Sequence, residues 1–272
     1  MIGNILKMKV QLSSPVEYQL PVDDALIDLN PHIGGNIRLD YQGEINCVSC
    51  GRKTSKSYAQ GHCYPCFIRL AECDMCIVKP ETCHYDAGTC REPEWAQQHC
   101  MQPHYVYLAN SSGIKVGITR GSQIPTRWID QGASQAMAIF RVANRYQSGL
   151  LEVAIKQHVS DRTDWRKMLK GNAEQRDLAS MRDELAEVCG AQVADLQARF
   201  GNENIEFLPA EAIVDIEYPV EHYPEKVKSL NLDKTPLVEG MLMGIKGQYL
   251  MLDSGVINIR KYSGYKLDVD LI

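Results

Sequence analysis

Eight of the ten cysteines in this chain fall between Cys47 and Cys90, and their spacing is that of metal ligands. Cys47-Val-Ser-Cys50 and Cys63-Tyr-Pro-Cys66 are two CxxC pairs with twelve residues between them. A CxxC turn lets two thiolates reach one ion from a knuckle of backbone amides, and two knuckles supply the four soft, tetrahedral ligands that Zn²⁺ prefers. Gly51 follows the first pair, where such a knuckle often needs a positive φ. A redox CxxC would instead stand alone on a βαβ unit.

A second group follows with looser spacing: Cys73-Asp-Met-Cys76, then Cys83-His84, then Cys90. Cys73, Cys76, Cys83 and Cys90 are the expected ligands of a second zinc ion, with His84 as the substitute if one cysteine points away. Cys100, with His99 beside it and His104 nearby, is left between the two sites and neither. Cys189 stands alone in a helical stretch and reads as a small buried apolar residue. Neither site has an open position for water. Two structural zinc ions are therefore expected, replacing a hydrophobic core in a segment too loop-rich to have one.

Charge points to a different chemistry further on. Between Lys115 and Lys170 there are ten Lys and Arg against four Asp and Glu, whereas residues 171–230 carry five basic against thirteen acidic residues. A phosphate-facing surface is expected in the middle of the chain, with Arg120, Arg141, Arg145, Arg162, Arg166 and Lys167 on one face binding DNA or RNA. No apolar run approaches the roughly 20 residues of a membrane span. The N-terminus has no signal-peptide core, so a soluble cytoplasmic protein without a membrane partner is expected.

The elements that must position these groups suggest an α+β fold. Residues 1–46 alternate apolar and polar side chains between prolines and read as short strands. Residues 47–103 form the zinc-binding segment, 104–170 an α/β core, and 171–200 one long amphipathic helix stopped by Gly201. Residues 201–272 return to strand character, and the two strand-rich ends are expected to pair and close into a small barrel. Within the core, Val106-Tyr107-Leu108 and Ile114-Lys115-Val116-Gly117-Ile118 flank the turn Asn110-Ser111-Ser112-Gly113. Pro125-Thr126-Arg127-Trp128 then opens a helix, with Pro suited to its first turn, and Leu150-Leu151-Glu152-Val153-Ala154-Ile155 lies on another.

This order of aromatic strand, Lys-Val-Gly-Ile-Thr strand, helix-borne Arg and helix-borne Glu resembles the GIY-YIG nuclease superfamily, in the phage-type form whose second motif begins with Lys. The resemblance covers about Tyr105 to Leu169. It implies that Tyr107 handles the attacking water, Arg127 holds the phosphate, and Glu152 binds Mg²⁺ or Mn²⁺. Lys115 then stands at the second tyrosine's place, Gly117 leaves room for the phosphate backbone, and His158 comes near the same site. The pattern departs in having Tyr105 where a Gly precedes Val106-Tyr107, and Arg127 lies far enough beyond Gly117 that Arg120 is a rival phosphate contact.

Cys83-His84-Tyr85, Gly88-Thr89-Cys90-Arg91-Glu92-Pro93-Glu94-Trp95 and Asp164-Trp165-Arg166-Lys167-Met168-Leu169 also resemble segments of an uncharacterised bacterial family in which cysteine clusters precede a GIY-YIG-like core. Two functions stay open: a metal-dependent nuclease-like enzyme on nucleic-acid phosphodiesters, or a zinc-containing nucleic-acid-binding protein using the same basic core without cutting.

Overall fold

Alternation at a two-residue period decides how the middle of the chain packs. In the computed structural model, which describes residues 1–271, His104–Asn110 and Ile114–Arg120 form an antiparallel hairpin in which Tyr107 faces Gly117 and Asn110 faces Ile114. Gln135–Val142 pairs along the other side of His104–Asn110, and Ile205–Phe207 and Val214–Asp215 complete a five-stranded sheet. Val106, Leu108 and Val116 enter one core with Leu151, Ile155, Leu178 and Leu185 from helices. Tyr107 and Ala109 enter the opposite core, with residues from both ends of the chain. The sheet is thus covered on both faces.

The helix that carries Glu152 starts where its sequence allows. Asn144 accepts a hydrogen bond from the Gln147 N–H at 3.0 Å, satisfying one orphan donor of the first turn, and the Gln147 side chain reaches back to accept from the Ala143 N–H, just outside the helix, at 3.0 Å. The helix runs Arg145–Ile155 and buries Leu151 and Ile155 against the sheet. At Gly149 it lies almost on the zinc segment: a Cβ there would meet the Glu81 backbone nitrogen at 2.6 Å.

Strands from both ends of the chain share a seven-stranded sheet, with Ile2–Asn4 against Tyr265–Leu271, then Asn36–Asn46, Leu237–Lys246, Tyr249–Leu252 and Gly255–Asn258, and with the short Lys53–Thr54 strand also on Asn36–Asn46. The termini therefore pair as expected, but the sheet does not close into a barrel. Both edges are taken by other chain segments: Val256 exchanges backbone hydrogen bonds with residues 228 and 230, and Asn4 is held by Asp23 at the opposite end. An occupied edge has no free N–H and C=O groups with which to close. Lys9–Gln11, Glu17–Val22 and Ala25–Asp28 form a separate three-stranded sheet.

The single helix expected over 171–200 is two helices, Leu178–Val188 and Gly190–Phe200. The break falls at Cys189, whose N–H is bonded to the carbonyls of both Leu185 and Glu187, a tightened last turn, and Gly190 beyond it lowers the cost of leaving the helix. Cys189 is fully buried, as its apolar reading requires. Among the described residues no helix is long and apolar enough to cross a membrane.

Candidate metal centre and basic groove

Cys47, Cys50, Cys63 and Cys66 converge, with their sulfurs all within 4.8 Å of one another and Cys50 Sγ 3.7 Å from Cys63 Sγ. The first knuckle closes through the Gly51 N–H on the Cys47 carbonyl at 2.8 Å, with Gly51 at φ +71°. The second is the start of the Tyr64–Arg69 helix, where Pro65 costs no hydrogen bond. The Arg52 N–H draws the Cys50 thiol down to about 6, toward the thiolate a metal needs. These four cysteines could hold one zinc ion.

The second expected set does not assemble as written. Cys73 packs against Cys47, Cys63, Cys66 and Leu70 of the first cluster. Cys73 ends the Ala71–Cys73 turn and Asp74 caps the next helix by accepting from the Cys76 N–H, so Cys73 and Cys76 lie on separate short elements. Cys76, Cys83 and Cys90 line a different small cavity, with His84 and Cys100. His99 stacks flat on Trp95, and His104 is fully buried with its Nδ1 on the Gln102 carbonyl; burial lowers His104 to about 4.

Beside the Ile114–Arg120 strand runs a groove lined by Tyr107, Lys115, Gly117, Arg120, Arg127 and Glu152. Three elements bring these groups together. The hairpin presents Lys115, Gly117 and Thr119 at alternate positions, the Thr126–Asp130 helix presents Arg127, and the Arg145–Ile155 helix presents Glu152. The 160–161 backbone joins through the Ser160 carbonyl, which accepts from the Val116 N–H at 2.8 Å and sets Asp161 on the rim.

Gly117 has a different reason from the one expected. The space a side chain would fill is occupied by the Tyr107 ring, with Tyr107 Oη 2.6 Å from a Cβ built on Gly117. Tyr107 itself is fully buried and donates its hydroxyl proton to Gln131 Oε1 at 2.8 Å. Burial raises its pKa, opposed by Arg127.

Two of the groove's charges, Lys115 and Glu152, are poised away from their ordinary values. Burial, with Arg127 adding to it, lowers Lys115 to about 8. Burial first, then the Asp161 carboxylate, raises Glu152 to about 7. Among the described residues, Lys115, Arg120, Arg127, Glu152 and Arg260 have no ion-pair partner within 4.0 Å. Unneutralised buried charge is costly in a folded protein and is characteristic of sites that receive a charged ligand.

Of the other expected phosphate contacts, Arg120 and Arg145 line this groove. Arg145 reaches it while its guanidinium donates to the Ile77 carbonyl and its backbone N–H to the Cys100 carbonyl. The rest lie elsewhere. Arg141 pairs with Glu206 across the sheet, Arg162 is exposed beside Asp161, Arg166 stacks over Trp165, and Lys167 lines a separate pocket with Lys170 and Arg176. His158 is exposed and outside the groove lining. Arg260, Gln131 and Asp161 go unmarked in the sequence. Asp161 sits close after Glu152 and could be found from that spacing, whereas Arg260 comes from a turn of the terminal sheet and carries no signal.

Fold and site thus define an α+β protein with a four-cysteine cluster beside a basic, carboxylate-bearing groove. The chain belongs to a family described as protein of unknown function (DUF2797), whose profile matches residues 34–267. No curated protein and no solved structure matches it.

Proposed function

We propose that the protein is a metal-dependent, nuclease-like protein of GIY-YIG type acting on nucleic-acid phosphodiesters, with structural zinc bracing the groove. One observation carries this: Lys115, Arg127 and Glu152, from a strand and two helices, meet in one groove as unpaired charges. Arg127 and Arg260, with Arg120 as rival, stabilise the negative charge that develops on a phosphate under attack. Glu152 would hold Mg²⁺ or Mn²⁺, which supplies phosphate polarisation and an acidified water when bound. Lys115, lowered to about 8, can exchange a proton near neutral pH and is the candidate acid or base. Tyr107, anchored on Gln131, keeps the hairpin and the Arg127 helix in register.

A second reading has its own support. The Tyr107 hydroxyl is already committed to Gln131 and its ring has no exposed surface. With no free phenol to handle water, the same groove would serve a non-catalytic nucleic-acid-binding protein. Incubating the protein with Mg²⁺ or Mn²⁺ and single-stranded, duplex and branched DNA and RNA separates the two. Strand scission supports the first; salt-sensitive binding without scission of any substrate transfers the protein to the second.

A further inference from the structure

We propose that Cys76, Cys83, Cys90 and Cys100 form a second structural zinc site, from which Cys73 is excluded. This is independent of whether the groove cuts or only binds.

All four cysteines line one small cavity beside the Pro93–His99 helix, while Cys73 packs against the first cluster. Each comes from a different short element: the Met75–Val78 helix, the end of the Pro80–Thr82 turn, the loop before Pro93, and the end of the Pro93–His99 helix. None of these pieces contributes a residue to the hydrophobic cores of the described chain, and an ion drawing four thiolates together would supply the cross-link they lack.

A rival set is Asp74, Cys76 and His84, whose ligand atoms lie within 4.8 Å of one another. It offers only three ligands, and its carboxylate and one of the two His84 nitrogens are already engaged. Asp74 accepts from Arg91 Nε at 2.6 Å and caps the Cys76 N–H at 3.2 Å, and His84 Nδ1 is bonded to Thr89 Oγ1 at 2.8 Å. The cavity's cysteines instead offer four soft donors, the tetrahedral number and type that suit zinc. Arg91, on Asp74, and Arg145, beside Cys100, supply positive charge against four thiolates on one divalent ion.

The site also reaches the groove. The Arg145 N–H donates to the Cys100 carbonyl and its guanidinium to the carbonyl of Ile77, next to Cys76. An ion holding Cys76 and Cys100 fixes both acceptors that place Arg145.

Elemental analysis of the full chain, prepared without chelator, tests this. Wild type should hold two zinc ions, Cys83→Ser and Cys100→Ser one, and Cys73→Ser two. Should a variant fail to fold, alkylation of wild type mapped by mass spectrometry decides the question instead. With metal bound, Cys73 should react while Cys76, Cys83 and Cys90 resist, and chelation should expose all of them. One zinc or none in wild type, iron in place of zinc, a zinc lost from Cys73→Ser, or reactive Cys83 and Cys90 before chelation overturns the assignment.

Discussion

The Tyr107 hydroxyl stands where a side chain on Gly117 would have to be, 2.6 Å from a Cβ placed there. The pair face each other across the hairpin, so the glycine is what lets a large phenol lie flat against the strand bearing Lys115. Gly117→Ala should cost about 1–3 kcal/mol, the usual range for overpacking a filled interior. Denaturant unfolding measures it. Tyr107→Leu in the same chain should restore part of the loss; an alanine variant as stable as wild type shows that the ring moves aside freely.

Gly149 makes a second close contact, between the Glu152 helix and the zinc segment. A methyl there meets the Glu81 nitrogen at 2.6 Å, a backbone atom that cannot rotate away. Helix propensity alone would make Gly149→Ala stabilising by about 1 kcal/mol. The contact reverses that sign, and the variant should unfold at lower denaturant than wild type. A stabilised variant would mean that helix and zinc segment are not docked this tightly.

Lys115 should make stability rise with pH in a defined window. Its folded value is lowered to about 8 from an ordinary 10.5, so between these the unfolded chain binds more protons than the folded one. Below pH 8 the buried ammonium costs the fold up to about 3 kcal/mol; the cost fades as pH climbs toward 10.5. Lys115→Met should therefore be more stable than wild type at pH 7, with a gap that narrows above pH 8. A gap constant from pH 6 to 10 sinks the idea.

The groove's charges predict a ligand effect on the same stability. Arg120, Arg127 and Arg260 gather without carboxylate partners, so a short polyanionic oligonucleotide should raise the thermal midpoint at low salt and lose that effect as salt is added. Arg260→Ala and Arg127→Ala should each weaken it, whereas Arg141→Ala, already paired with Glu206, should not. Equal losses from all three would place the binding surface elsewhere.

The sequence is most legible where chemistry is local. Cys47, Cys50, Cys63 and Cys66 meet because two turns within a few residues each bring two thiols together, and such turns are written in their spacing. The strand–turn–strand around Asn110-Ser111-Ser112-Gly113 is legible for the same reason. The pairing of the chain ends follows from their alternation, but the coil segments occupying both sheet edges do not, because an edge's occupant depends on tertiary packing. Cys73 packs against the first cluster, which its spacing to Cys76 does not reveal, because a CxxC string does not show that Asp74 caps a new helix inside it. Lys246 illustrates what periodicity hides: a fully buried lysine, bonded to the Gly171 carbonyl and Asn172 Oδ1 under the rings of Tyr218 and Tyr223, that ties the terminal sheet to the loop after the core.

Comparing wild type with Glu152→Gln for strand scission in Mn²⁺ tests the central claim most directly. Gln keeps the shape and removes the charge that would hold the ion, so scission should fall by several orders of magnitude while oligonucleotide binding survives. Scission by Glu152→Gln equal to wild type, or none by wild type on any DNA or RNA substrate, contradicts the account.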